Sequence, residues 1–147
     1  MDAKATVQAL MDSIQKGDFT KAKTLLSKDF QFSGPAPEPI SGDAWLAMRK
    51  ALKIAFPDLE YHFYVENMIA DTASISTHLK GTQTGTLDLT CINMGTIPAT
   101  HRSFSAVRET GKVTVKGDQV TSWVVQPAEG AGLKAILGQL GVHLPTM

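Results

Sequence analysis

Apolar and polar positions change period along this chain, and the changes mark its elements. Val7, Leu10, Met11 and Ile14 fall at i, i+3, i+4 and i+7, one stripe of a helix that Gly17 ends. Asp18 is placed to cap a second helix with Phe19, Ala22, Leu25 and Leu26 inside. Asp29 to Ser33 alternates as a short strand, and Gly34 to Pro39, with three prolines, must be a loop. Ser41 or Asp43 caps a third helix whose apolar face carries Trp45, Met48, Leu52, Ala55 and Phe56, and Pro57 stops it.

After Pro57 the period becomes two. Leu59, Tyr61, Phe63, Val65 and Ile69 alternate with Glu60, His62, Tyr64 and Glu66, which predicts a long strand. Asp71-Thr72 turns the chain, and Ser74 to Gly85 alternates again. Thr86 to Thr100 is mixed, with Gly95 and Pro98 breaking it. Arg102 to Glu109 reads as a strand, Gly111 as a turn, Lys112 to Lys116 as a strand, Gly117-Asp118 as a hairpin turn and Gln119 to Val125 as the last strand. Leu133, Ile136, Leu137 and Leu140 form a final short amphipathic helix that Gly141 closes. Helices segregated from a run of strands predict an α+β fold in one domain over residues 1–147. Its curved antiparallel sheet forms a cone, covered on one face by the three N-terminal helices, with the short helix at the C-terminus. The mouth of such a cone is a natural small-molecule site. The strands around Leu59–Val65 and Ile75–Leu79 are expected to be antiparallel neighbours beneath the helices.

With 43% apolar and 19% charged residues in 147, the chain can bury a core without disulfides or metal. Lys plus Arg and Asp plus Glu are equal at 14 each, and no long charge block occurs, so a nucleic-acid partner gets no support. Cys91 is the single cysteine, which excludes an internal disulfide; its neighbours Leu89, Thr90 and Ile92 offer no positive charge, so it reads as a small buried apolar residue. No apolar run is long enough for a membrane span and the N-terminus lacks a signal-peptide core, so a cytoplasmic protein is expected.

Few motifs carry chemistry. Gly130-Ala131-Gly132-Leu133-Lys134-Ala135 matches a loose dinucleotide pattern, but only 12 residues follow it, too few for the parallel strand and acidic residue such a site needs. His62, His78, His101 and His143 have no metal-ligand spacing, and neither a phosphate loop nor a nucleophile elbow occurs. No cofactor and no metal are therefore expected. Glu129 is the only carboxylate side chain after Asp118 and follows Trp123 toward the rim of the cone. Burial there would raise its pKa and suit it to general acid or base work.

Gly81-Thr82-Gln83-Thr84-Gly85, Ile97-Pro98-Ala99-Thr100-His101-Arg102 and the closing Gln139-Leu140-Gly141 resemble, in order and spacing, segments of the SnoaL-like polyketide cyclases of the nuclear transport factor 2-like superfamily. Gly17-Asp18-Phe19, Ser41-Gly42 and Ala55-Phe56-Pro57-Asp58 extend the resemblance over nearly the whole chain. It implies an α+β cone, a homodimer or higher oligomer, and intramolecular aldol ring closure without metal or organic cofactor, driven by an acidic side chain near the end of the last strand. The family's W-x-x-x-D pattern is altered here, since Pro127 stands fourth after Trp123 and Glu129 is the nearest acid; Gln83 stands where His is common and His101 where Gly is common.

Two functions remain open. One is a cofactor-independent cyclase or isomerase that moves protons on an apolar, carbonyl-bearing, polyketide-like ligand. Glu129 is then the acid/base group, His78 or His101 a second titrating group, and Gln83, Trp123, Trp45, Tyr61 and Phe63 hold the ligand. The other is a non-catalytic binding or protein-interaction module on the same cone. In both, the uncovered sheet face, with His62, Tyr64 and Met68, is expected to pair two copies.

Overall fold

A computed structural model describes residues 2–34, 39–90, 95–126 and 132–141. Cys91, Glu129, His143 and the core of the proline loop lie outside them. Helix α1 (Ala3–Lys16) starts where Asp2 accepts a hydrogen bond from the Ala5 amide at 2.7 Å, and ends at Gly17, whose left-handed φ of 80° suits glycine. Asp18 caps α2 (Phe19–Thr24) through the Lys21 amide. Ser41, rather than Asp43, caps α3 (Gly42–Ala55), its hydroxyl accepting from the Ala44 amide at 3.2 Å.

The strands are β1 (Leu26–Ser33), β2 (Ile40–Ser41), β3 (Tyr64–Ile69), β4 (Thr72–Thr77), β5 (Lys80–Thr82), β6 (Leu87–Asp88), β7 (Thr96–Ile97), β8 (Ser103–Ser105), β9 (Glu109–Lys116) and β10 (Gln119–Val125); α4 (Gly132–Gln139) follows. Six strands form one sheet in the order β2-β1-β10-β9-β4-β3, with β5-β8 and β6-β7 as two small separate pairs. The expected hairpin at Gly117-Asp118 joins β9 to β10, and β3 and β4 are antiparallel neighbours. The sheet is mixed rather than wholly antiparallel, because β1 runs parallel to β10. That pair joins the two ends of the chain, so no tight turn constrains its direction.

Helix α1 lies across β9, β4, β10 and β3, α2 lies on β1, and α3 covers β1 and β2. Against them the sheet turns Ala73, Ile75, Val113, Val115, Val120, Trp123 and Val125, all buried. Two bulges decide which residues belong to that layer. In β10 the register shifts between Val120 and Ser122, so Val120 and Trp123, three apart, both face inward. In β3 it shifts between Val65 and Asn67, so Met68 pairs with inward Ala73 while Ile69 is turned out at 65% exposure. Strict alternation had placed Met68 outside and Ile69 inside; one extra residue reverses both.

Three expected boundaries move. The strand expected from Leu59 begins only at Tyr64, because His62 adopts a left-handed φ of 49° and breaks the extended run. The strand expected from Arg102 to Glu109 is β8, and β9 starts at Glu109. Gly111, expected to turn the chain, lies inside β9, where a Cβ would sit 2.6 Å from the Val124 carbonyl oxygen. A glycine is required by that close approach of β10, not by a reversal of direction.

Candidate functional site

The inner layer of the cone is a cluster of aromatic rings around one buried cation. Helix α3 supplies Trp45, fully buried, and one turn later Arg49, only 8% exposed. The spacing 45, 49, 52, 56 puts Arg49 on the apolar face of α3, beside Met48, which is partly buried against the same core as expected. Trp45 packs on Phe30 and Phe32 of β1 and on Trp123 of β10, with centroids 5.2, 5.8 and 5.2 Å away. Trp123 meets Phe63 edge-on at 5.8 Å, and Phe63 stacks on Tyr61 at 4.8 Å with planes 6° apart. The Arg49 guanidinium lies over three of these rings, 5.3 Å from the centroids of Trp45 and Tyr61 and 5.9 Å from that of Phe32.

Tyr61 is held by its backbone. The Gln15 side chain accepts from the Tyr61 amide at 2.8 Å and donates to the Leu59 carbonyl at 2.9 Å. The Thr77 hydroxyl and the His78 amide both donate to the Tyr61 carbonyl. Its phenol, by contrast, has only the Arg49 guanidinium close by among the described residues. Among the described residues three buried side-chain polar atoms lack a hydrogen-bond partner: Trp45 Nε1, Arg49 Nε and the Tyr61 hydroxyl. They belong to this one cluster. Each orphaned group costs about 1–3 kcal/mol, so three together set this cluster apart from the rest of the described interior.

Glu109 faces the same layer. It starts β9 with side-chain parity shared by Gly111, Val113 and Val115, and pairs across to Thr77. It is half-buried, and its carboxyl makes no hydrogen bond or ion pair among the described residues. Burial pushes its pKa up, and the positive charge of Arg49 partly opposes that shift. The Tyr61 phenol is likewise pushed up by burial and drawn back by Arg49.

Of the residues picked out from sequence, Trp45, Tyr61, Phe63 and Trp123 are brought together. Gln83 is not free to meet a ligand. It is fully buried, and its amide donates to the carbonyls of Gly85, Ile97 and Pro98 while its oxygen accepts from the amide and hydroxyl of Thr100. It staples the two segments that carry the family-like motifs. His78 is exposed and its ring meets Ser105 Oγ at 3.1 Å; His101 is exposed with a φ of 57°. Neither imidazole joins the aromatic cluster. Glu129 lies outside the described residues. Arg49 and Glu109 were missed, although each had a signal: a cation on an apolar helical stripe, and a carboxylate in phase with Gly111, Val113 and Val115.

Among the described residues no group of three or more His, Cys, Asp or Glu side chains is placed to hold a metal ion, and no helix is long and apolar enough to cross a membrane. A cleft of about 280 Å³ opens between α1 and the segment before β3, lined by Gln8, Met11, Gln15, His62 and Phe63 among others. Phe63 thus belongs both to the lining of the cleft and to the aromatic cluster.

The profile of the SnoaL-like polyketide cyclases matches residues 4–130. The chain belongs to that family. No curated protein matches it. Among solved structures it is similar to IdmH of Streptomyces antibioticus, a candidate polyketide cyclase, at 18% identity over 97% of this chain and 100% of that one, with a TM-score of 0.70. It is similar to AclR of Streptomyces galilaeus, a candidate hydroxylase, at 17% identity over 95% of both chains, with a TM-score of 0.68. A third, a candidate SnoaL-like polyketide cyclase of Jannaschia sp. CCS1, shares 21% identity over 84% of this chain and 83% of that one, with a TM-score of 0.64. At these identities the likeness is one of fold. Cyclase-named and hydroxylase-named proteins share it, so the chemistry must be argued from the side chains.

Proposed function

We propose that this SnoaL-like protein binds an apolar, carbonyl-bearing, polyketide-like molecule among the rings of its cone and moves protons on it without a cofactor. The observation that carries this is that Trp45 Nε1, Arg49 Nε and the Tyr61 hydroxyl, buried among aromatic rings, make no hydrogen bond among the described residues. Aromatic walls favour a flat apolar skeleton, and donors in a low-dielectric site favour oxygens that carry or develop negative charge. A pure interaction module would have no use for orphaned donors in its interior.

The test is ligand choice. Quenching of the emission of Trp45 and Trp123 is titrated with 1-phenylbutane-1,3-dione and with butylbenzene, similar in apolar bulk but without oxygen. The diketone should bind at least about tenfold more tightly, the value of one charge-assisted hydrogen bond. Equal affinity, or no saturable binding of either, sinks the reading and favours the interaction module. The reading also includes a homodimer formed through the uncovered sheet face, where Tyr64 and Val124 are 66% and 38% exposed. Light scattering at micromolar concentration should return twice the chain mass, and a monomer mass contradicts this part.

A further inference from the structure

The helical side of the molecule carries a groove apart from the aromatic cluster. It runs between α2 and α3, holds about 530 Å³, and is lined by Phe19, Lys23, Leu46, Ala47 and Lys50 among others. Its α3 wall is one row: Asp43, Ala47, Lys50 and Ile54 follow at i, i+4, i+7 and i+11, on the helix face opposite Trp45, Arg49 and Leu52. Ile54 is 60% exposed, so a large apolar side chain stands in water where the row ends. We propose that this groove docks an acidic amphipathic helix of a partner protein. The partner's apolar ridge lies on Phe19, Leu46, Ala47 and Ile54, and its carboxylates meet Lys23 and Lys50. The ligand reading above plays no part in this.

Charge selects the occupant. The chain as a whole is neutral, with 14 basic and 14 acidic residues, yet residues 16–28 and 42–55 hold seven of the basic and two of the acidic ones. Both of those acids are engaged: Asp18 caps α2 through the Lys21 amide, and Asp43 reaches Lys23 from the other wall at 3.6 Å. That ion pair is exposed on both sides, so water and salt screen it and a partner carboxylate replaces Asp43 readily. Lys50 forms no ion pair among the described residues. A second copy pairing through this face about a twofold axis brings the same lysines together, and like charges oppose that.

Shape selects a helix. Both walls are helix flanks, whose backbone groups are spent within the helices, so the groove offers no free strand edge to an extended peptide. The row from Asp43 to Ile54 is about 16 Å long at the helical rise, enough for about three turns of a partner. Leu46 is buried and forms the floor. A ridge of side chains reaches such a floor, whereas a flat lipid surface does not.

The experiment is fluorescence anisotropy on the full chain with fluorescein-labelled, end-capped peptides. The probe has about 18 residues, with Leu at i, i+4, i+7 and i+11, Glu on both sides of that row and Ala elsewhere. It should bind saturably with a Kd of about 100 μM or tighter, and at least about fivefold more weakly when NaCl is raised from about 0.05 to about 0.5 M. The same peptide with Lys for Glu, and one of identical composition with the Leu row scrambled, should each bind at least about tenfold more weakly. Lys23→Glu combined with Lys50→Glu should weaken the acidic probe at least about tenfold and Ile54→Gln about threefold, both with an unchanged urea midpoint. Should the double variant unfold, Lys50→Gln supplies the second arm, with a loss of about threefold. Absence of saturable binding up to about 1 mM, equal binding of the scrambled peptide, or full affinity in the charge-reversed variant overturns the inference. Binding to phosphatidylglycerol vesicles without binding to the peptide overturns it in favour of a lipid surface. Loss of a dimer mass in the charge-reversed variant overturns it in favour of a second copy. Failure of wild-type protein to bind the diketone touches only the ligand reading.

Discussion

Gln83 and Arg49 are both polar side chains in the interior, 0% and 8% exposed, and the fold treats them in opposite ways. Around Gln83 every hydrogen-bonding group is engaged: three carbonyls take its amide, and two donors of Thr100 fill its oxygen. Around Arg49 the nearest neighbours are ring faces, and three polar atoms of the cluster are left without partners. The first arrangement is a staple between the 83–85 and 97–100 segments. The second leaves donors without an acceptor among the described residues. Gln139 repeats the first arrangement at the other edge, its amide and oxygen bonding the Ser105 carbonyl and amide at 2.9 and 2.8 Å, so that α4 docks on β8. In a buried setting satisfaction marks structure, and its absence is what the proposed site rests on.

The largest effect should come from breaking the staple. Gln83→Leu leaves the Ile97 and Pro98 carbonyls and the Thr100 amide short of partners, and should cost about 2–4 kcal/mol in urea unfolding, with diketone affinity of the folded protein unchanged. A loss below about 0.5 kcal/mol would remove the contrast.

Arg49→Met should do the reverse. Replacing a buried cation that forms no ion pair among the described residues by an apolar side chain is expected to change stability by no more than about 1 kcal/mol, while diketone affinity falls at least about tenfold. Strong destabilisation with unchanged affinity would make Arg49 structural.

A smaller effect is expected of Tyr61→Phe, which deletes a buried hydroxyl with only Arg49 close by among the described residues and should leave stability equal or up to about 1 kcal/mol higher by thermal unfolding. A clear loss would reveal a partner for that hydroxyl within the chain.

The finest distinction is in pH. Burial raises the pKa of Glu109 in the folded chain, so its contribution to stability is fully present below the unfolded glutamate value and is lost as pH rises through the folded value. Glu109→Gln should therefore become more stable relative to wild type as pH rises through that window, and an identical pH dependence for the two proteins would show that Glu109 is solvated.

Much of the architecture was legible because it depends on near neighbours. The α1 stripe, its Gly17 stop, the Ser41 cap and the Gly117-Asp118 hairpin each follow from a few adjacent residues. The inward layer was less so. Period-two reading assumes an unbroken ladder, and bulges after Val65 and after Val120 shift it, turning Met68 in, Ile69 out and Trp123 in. The aromatic members of the proposed site, Trp45, Tyr61, Phe63 and Trp123, were legible as apolar positions, but their meeting depends on α3 packing on β1 and reaching Trp123 of β10 and on the break at His62.

By itself, then, the sequence determined the order of elements, the α+β class, the caps and turns, and the family, since these rest on local backbone preference, hydrophobic period and motif order. Tertiary structure alone decided which buried polar residues are satisfied. Gln83 carries the most family-like motif and is spent on its own loops, whereas Arg49 and Glu109 come from elements 60 residues apart in the chain and share one field only when α3 folds over the sheet. Whether a buried polar group is satisfied depends on which groups long-range packing brings beside it, and no local pattern of residues encodes that.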